Sequence, residues 1–511
     1  MHTIYRVIML ILVSLLCGCK PLQAASLARC EANITVDIAS KNIVNVDTKN
    51  SIIRTLNPSF FGFNIEWVDF QQDMWDAKTF QVKPEVVDWL KPFAGASYRY
   101  PGGTGSNHLK WRDTVGARAS RPVTQRVDWL GPIAPQFGFD EYLSFIESVN
   151  GSAWYVLNIN GDYKGQYPAS TMAQEAANLV SYAAKRAANG KPTVMRWELG
   201  NELDRNKWPP GKYSEIASQV VAAIQAHHPD AKFVGMLQDW PVQKAFTMSE
   251  YNRLVINDLK PTVQEFAHHL YYEEQNWVSV GERLTQVCRS GEDAKAVGLN
   301  KPTFWITEHA RGLPAITTME LWKRTWPSTS GLEAALVVAE SYIAATQLPQ
   351  VQGMHLHSLG TAHGPWPLFN ASKDSIYPSA VYWGLRILRE SMLPNALASK
   401  VQSRNDAKSI GGHDVRAAVL IDNEKQNYAV WAVNRSGVIS KLSLIIPALQ
   451  GKSITARFNY ISDSNKKSNN HAVANNVLPQ NIEIKVTFDA LGYAEVDLPP
   501  YSVSALSLSI K

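Results

Sequence analysis

At 511 residues, 45% of them hydrophobic and 19% charged, the chain has the composition of an ordinary globular protein, long enough for one barrel-sized domain and a smaller companion. Its formal charge of +5 is too mild and too dispersed to argue for a nucleic-acid partner. No Cys/His grouping has metal-ligand spacing, so neither a metal nor another cofactor is expected. His2 and Arg6 precede an apolar run from Val7 to Leu16 that is too short for a permanent membrane anchor, and residues 1–25 read as an export signal. Leu16-Cys17-Gly18-Cys19 resembles a bacterial lipobox, with Cys17 where a small or β-branched residue is usual. It would make Cys19 a lipid anchor to the membrane. Cleavage after Ala24 is the alternative and gives a freely secreted protein. Either route delivers the mature chain to the cell envelope or beyond. Cys30 and Cys288 then remain, as one disulfide or as two free thiols.

Residues 26–56 form an arm in which Ile34, Val36 and Ile38 alternate like a strand, expected to pair with the C-terminal domain. From 57 to 394, short apolar runs near 59–66, 95–100, 153–160, 193–201, 231–237, 264–271, 302–307 and 351–357 alternate with helical spacing. The clearest helices are 171–189, 213–228 and 331–347. Eight strand–helix units over this length predict an α/β fold, a (β/α)8 TIM barrel. From 395 to 511 the helical spacing disappears. Short alternating strands separated by Asn, Gly, Ser and Pro predict a C-terminal β-sandwich domain.

Two of the barrel strands end in glutamate. Arg196-Trp197-Glu198-Leu199-Gly200-Asn201-Glu202 stops in a Gly-Asn-Glu corner, and Thr303-Phe304-Trp305-Ile306-Thr307-Glu308-His309 repeats the pattern. Strand C-termini are where barrel active sites form. A retaining glycosidase needs two carboxylates there, one as acid/base and one as nucleophile. Taken singly, either glutamate reads equally well as a strand-end ion pair. Sixteen tryptophans offer flat faces for sugar rings, although most tryptophans are core.

The segments 197–204 and 304–309 resemble the acid/base and nucleophile strands of the clan A glycoside hydrolases. The nearer likeness is to the family 51 α-L-arabinofuranosidases. It is carried by FFGFNIEW (60–67), YRYPGG (98–103), Trp111, Asp113 and Gly116, FGFDEYL (137–143) and HHLYY (268–272). The segment around Glu308 departs from it, reading Thr-Glu-His where that family has an Asp-Glu-Trp type of context. The resemblance implies Glu202 as acid/base and Glu308 as nucleophile, with Asn201 donating to the sugar 2-hydroxyl. It implies Arg99 and Tyr271 on the nucleophile, the doubled His268-His269 and Tyr271-Tyr272 leaving that register open by one. His269, Glu66, Asn158 and Trp366 are expected to contact substrate, with Asn160, His355 and His357 as further candidates for the pocket or its rim. Arg99 could instead pair with Glu198.

The expected function is thus that of an exported retaining exo-glycosidase, α-L-arabinofuranosidase-like, on plant- or algal-type polysaccharides or oligosaccharides. Lys110, Arg112, Arg118, Arg121 and Arg126, against Asp113 alone, crowd one loop. They would steer an acidic glycan, and this is the basis of an alternative, a heparanase-like β-glucuronidase. A glycan-binding lipoprotein without activity is a third reading, which the two glutamates oppose.

Overall fold

The computed structural model describes all residues except 1–19, 47–51, 126–131, 241–244, 274–278, 314–317, 372–374, 407–411, 472–473 and 511. Cys19 and Arg126 lie outside the described residues.

Eight parallel strands close into a barrel in chain order: β1 (Phe61–Asn64), β2 (Ser97–Tyr100), β3 (Ser152–Leu157), β4 (Val194–Leu199), β5 (Phe233–Met236), β6 (Glu265–Tyr272), β7 (Thr303–Arg311) and β8 (Val351–Leu356), with β8 pairing back onto β1. The strands are short and almost wholly buried, as a sheet covered on both sides requires. Ala169–Ala188, Pro210–Gln225 and Leu332–Ala345 are three of the helices that wrap it. The fold is a TIM barrel with a C-terminal β-sandwich.

The barrel interior is filled in layers. Near the floor, Trp154, Val234, Ala267 and Trp305 form an apolar cluster of their own, with the Arg196 guanidinium 4.6 Å from the Trp305 ring. One layer higher the filling turns polar, because the Trp154 indole N–H donates to Glu198 (2.7 Å) and Thr307 donates to the same carboxylate (3.1 Å). This polar layer supports the site above it.

The sandwich consists of a five-stranded and a seven-stranded sheet. Strands Val36–Ile38 and Asn42–Val46 belong to the first and Ile52–Thr55 to the second. The alternation at Ile34 is not a strand: Lys20–Ile34 is an α-helix, laid against helix Val280–Ala296 and tied to it by a Cys30–Cys288 disulfide (Cα–Cα 5.8 Å). Ser26 adds a hydrogen bond to Glu292 (2.8 Å). Period-two spacing over three residues was read across a helix end, where Ile34 is buried by tertiary packing.

Candidate active site

The mouth of the barrel at the strand C-termini holds a cavity of about 510 Å³, lined among others by Glu66, Asn201, Glu202, Tyr271, Glu308, His357 and Trp366. Glu202 and Glu308 each present a carboxylate oxygen, and with a His269 nitrogen these atoms lie within 4.8 Å of one another. That approach suits the narrow spacing of a retaining pair, whose carboxyls stand about 5–5.5 Å apart. Among the described residues these three side chains are also the one group spaced to accept a metal ion.

Local backbone places each glutamate. Gly200 (φ 82°) turns the chain off β4, and Glu202 itself adopts φ 47°. A left-handed glutamate costs about 1–2 kcal/mol, a cost that concentrates at functional sites. Asn107 braces the corner by donating to the Asn201 carbonyl (2.6 Å) and accepting from its N–H (3.1 Å). On β7 the pairing with β6 slips by one residue between His268 and His269, so that His269 stands opposite Glu308. The bulge turns Thr307 to Glu198 below while Glu308 enters the pocket.

Arg99 organises the floor of the site. It grips Glu198 in a bidentate pair (2.7 and 3.1 Å), donates to Glu308 (2.9 Å) and to Asn64 (3.3 Å), and reaches Asn201 Oδ1 (2.7 Å). It is fully buried. The Glu198 pairing and the nucleophile contact, weighed as alternatives in the sequence, are both made by one guanidinium. Tyr271, and not Tyr272, donates to Glu308 (3.0 Å). Burial pushes the Glu308 carboxyl up, but His269, His357, Arg99 and the Tyr271 hydroxyl outweigh it and hold that carboxyl far below its usual range. His269 shares a hydrogen bond with Glu202 (2.9 Å) and lies 3.6 Å from Glu308. Burial lowers its pKa, yet the two carboxylates raise it overall.

The glycines of the Pro101-Gly102-Gly103 motif make room for polar groups. Both have positive φ (66° and 53°). A Cβ on Gly102 would come 2.4 Å from Asn64 Oδ1, and one on Gly103 would come 2.0 Å from Glu66 Oε1. Glu66 thus stands in space that only glycine leaves. Burial, and then Asp69 and Glu308, push its carboxyl well above the usual range. His357 lies between Glu66 (3.5 Å) and Asn64 (3.2 Å), and the Trp366 ring packs 5.1 Å from it.

Three candidates lie elsewhere. Asn158 is consumed by a turn, donating to the carbonyls of Leu109 and Gly161 and accepting from the N–H groups of Asn160 and Gly161. It lines a separate cavity of about 250 Å³ beside Trp111 and Tyr155. Its place at a strand end was a correct signal for proximity, but the side chain turns away from the mouth. Asn160 reaches the Asn107 carbonyl (3.4 Å), one shell behind the site. His355 is buried in the barrel wall against Ser97 (2.6 Å). Asn64 and Asn107 were missed. Asn64 was legible as the last residue of β1, whereas nothing in the sequence around Asn107 points to the Asn201 corner.

The basic loop is not a free positive patch. Lys110 pairs with Asp162 (3.0 Å), Arg112 with Glu175 (2.8 Å), and both Arg118 (3.3 Å) and Arg121 (2.9 Å) with Glu141. Counting its nearest neighbours in sequence overlooks acids that the fold brings in from two helices and from the hairpin that carries Asp162.

A sequence family described as Alpha-L-arabinofuranosidase 1 domain matches residues 89–289, which include Glu202 and stop short of Glu308. The chain is 26% identical over 239 residues to the intracellular exo-alpha-(1->5)-L-arabinofuranosidase of Streptomyces lividans, covering 43% of this chain and 36% of that protein. It is also 26% identical over 210 residues to the exo-alpha-(1->6)-L-arabinofuranosidase of Bifidobacterium longum, covering 38% of each. The chain thus spans little more than a third of the length of these curated relatives. Over the whole fold, the alpha-L-arabinofuranosidase from Thermotoga maritima in its arabinose complex superposes with a TM-score of 0.76 at 16% identity, covering 92% of this chain and 100% of that one. The family 51 arabinofuranosidase from Xanthomonas axonopodis pv. citri gives 0.74 at 14%, with 92% and 100% covered. The chain is similar to the family 51 arabinofuranosidases in fold over nearly its whole length, and to arabinofuranosidases in sequence over part of it. The sequence match takes in the β4 corner, while the geometry of the site brings in the β7 glutamate.

Proposed function

We propose that this chain is a retaining exo-glycosidase of the α-L-arabinofuranosidase type, acting on neutral, arabinose-bearing poly- or oligosaccharides. The observation that carries the reading is the close approach of Glu202 and Glu308 across the mouth of the barrel. In the first step Glu308, held ionised, attacks the anomeric carbon as Glu202 gives its proton to the departing oxygen. In the second step Glu202 takes a proton from water, whose oxygen displaces Glu308, and the configuration is retained. Asn201, fixed by Asn107 and Arg99, is placed to bond the sugar 2-hydroxyl, and Glu66 and His357 bond the other hydroxyls. The exo mode follows the names of the curated relatives.

The charges of the basic loop favour a neutral substrate over an acidic one. Lys110, Arg112, Arg118 and Arg121 are already paired with Asp162, Glu175 and Glu141. They leave no free positive field to steer an acidic sugar, so the β-glucuronidase reading loses its electrostatic basis. The test is a panel of aryl glycosides: arabinofuranoside, glucuronide, xyloside and galactofuranoside. Turnover of the arabinofuranoside, with a product of retained configuration by NMR, is the expected result. Preference for the glucuronide would overturn the reading.

Glu202→Ala is expected to slow substrates with poor leaving groups by about 10²–10⁴-fold, the range of general acid catalysis, and activated aryl glycosides far less in the first step. Comparing kcat/KM across leaving groups checks it. Equal losses for all of them would remove Glu202 from the acid role.

We also propose export, with lipid attachment at Cys19. The Cys30–Cys288 disulfide supports an oxidising compartment. Cys19→Ser should move the protein from the membrane fraction to the soluble fraction. Unchanged partitioning would speak for cleavage after Ala24.

A further inference from the structure

A chain of buried ion pairs runs from the sandwich to the wall of the catalytic pocket. Trp366, whose ring packs 5.1 Å from His357 and 5.2 Å from Tyr271, donates its indole N–H to the carbonyl of Arg311 (2.8 Å). Arg311 ends β7, three residues beyond Glu308. Its guanidinium divides between Glu273 (3.3 Å), Glu333 (3.1 Å) and the Ser328 carbonyl (2.9 Å). Glu273 follows β6 directly, two residues after Tyr271, with φ 55°. Its other oxygen accepts from Arg435. Arg435 follows sandwich strand Asn427–Asn434, and its remaining terminal nitrogen reaches Glu340 (2.7 Å) on helix Leu332–Ala345. His413 (2.9 Å) and Arg416 (3.1 Å), also from the sandwich, complete the shell of Glu340.

We propose that Arg435 is a positioning residue for the catalytic pocket: through Glu273 and Arg311 it fixes the ends of β6 and β7, and so sets Tyr271 and Trp366 against Glu308 and His357. Glu273 has two cations in the native fold, and loss of Arg435 leaves this buried carboxylate with Arg311 alone. Arg311 is then drawn away from Glu333 and Ser328, and the carbonyl that holds the Trp366 indole moves with it. Arg416 supplies an internal control. Its side chain is buried to a similar degree and pairs with the same Glu340, but its other bond goes to the Ile34 carbonyl (2.8 Å), away from the pocket. A purely structural role would make the two arginines equivalent. The proposal rests on the glycosidase reading of the pocket for its kinetic consequences and on the ion chain alone for its structural ones.

The experiment compares Arg435→Met, Arg416→Met, Arg435→Lys and Glu273→Gln with the wild type, in the full chain. Thermal midpoint, kcat/KM against pH on an aryl α-L-arabinofuranoside, and hydrogen–deuterium exchange over 269–273 and 308–313 are measured. Both Met variants should lose thermal stability. Only Arg435→Met should lose kcat/KM, by about threefold to thirtyfold, the scale of coupling through a packed network. Its acid limb should move to higher pH, because a loosened Tyr271 no longer holds the nucleophile ionised as firmly. Arg435→Lys should recover part of both. Exchange in the two segments should rise in Arg435→Met and not in Arg416→Met. Kinetics and exchange that match between the two Met variants would overturn the proposal. Should Arg435→Met fail to fold, Glu273→Gln carries the test, and native kinetics and exchange in it would overturn the proposal equally. A wild type that turns over no arabinofuranoside refutes the functional reading instead, and the exchange comparison still decides the positioning role.

Discussion

Glu308→Ala should fold and should lose turnover by about 10⁴-fold or more, the scale seen when a covalent nucleophile is removed. The side chain borders the cavity, three residues before the end of β7, so its removal enlarges that cavity and leaves no sealed apolar void to collapse. It takes one carboxylate from Arg99, which keeps its bidentate bond to Glu198 and its contact with Asn201. Azide occupies the space of the missing carboxylate, and with an activated aryl glycoside it should restore part of the rate and yield a glycosyl azide of inverted configuration. The measurement is the single-turnover rate with and without azide, with NMR of the product. Full activity in the variant would exclude Glu308 from the reaction. In the wild type the depressed pKa of Glu308 places the acid limb of kcat/KM below the ordinary glutamate value of about 4.3, with activity falling as pH drops through the folded-state pKa.

Arg99→Leu has the largest expected effect on stability. The substitution removes the partner of Glu198 and one partner of Glu308 in a fully buried layer, and leaving such a pair half broken costs about 3–5 kcal/mol. Thr307 and Trp154 still donate to Glu198, which keeps the loss within that range rather than beyond it. The pH dependence has a definite sign. With Arg99 present, the depressed carboxyl of Glu308 contributes stability above the unfolded-state pKa, and that contribution is lost as pH falls through the folded-state pKa. Without Arg99 the burial of Glu308 is less well opposed, its pKa rises and this contribution shrinks. The variant's deficit should therefore be widest near neutral pH and narrow in acid. Urea midpoints from pH 3 to pH 8 would check this, and a constant difference across that range would contradict it.

The positions of the eight barrel strands were legible because parallel strands buried on both faces leave unbroken apolar runs. Glu202 and Glu308 were legible for a related reason, as charges placed where such a run stops. The strands at 395–397 and 399–403 are too short to show a period, whereas 493–498 was overlooked although Ala494, Val496 and Leu498 alternate with Glu495 and Asp497 as a half-buried strand does. The site was legible only as far as strand ends carry it. Asn107 reaches Asn201 from a 3-10 turn 94 residues away, a pairing that local periodicity cannot encode. Asn158 shows the converse failure: the strand end was right, but a turn captures the side chain. The Arg112–Glu175 and Arg121–Glu141 pairs likewise join residues that a count of loop charges treats as unrelated.

The strands of the N-terminal arm have a kinetic consequence. Asn42–Val46 lies between Ser399–Ser403 and Ser440–Ile445, and Ile52–Thr55 pairs with Asn395–Leu397. During synthesis these segments leave the ribosome more than three hundred residues before their partners exist. The barrel must therefore be produced, and is free to fold, while the arm is still an unpaired strand former, and the sandwich closes last around the two ends of the chain. Such long-range closure is slow, and unpaired strands are exposed to wrong partners until it occurs. The final assembly step thus belongs to the domain that contributes no residue to the lining of the catalytic cavity among the described residues.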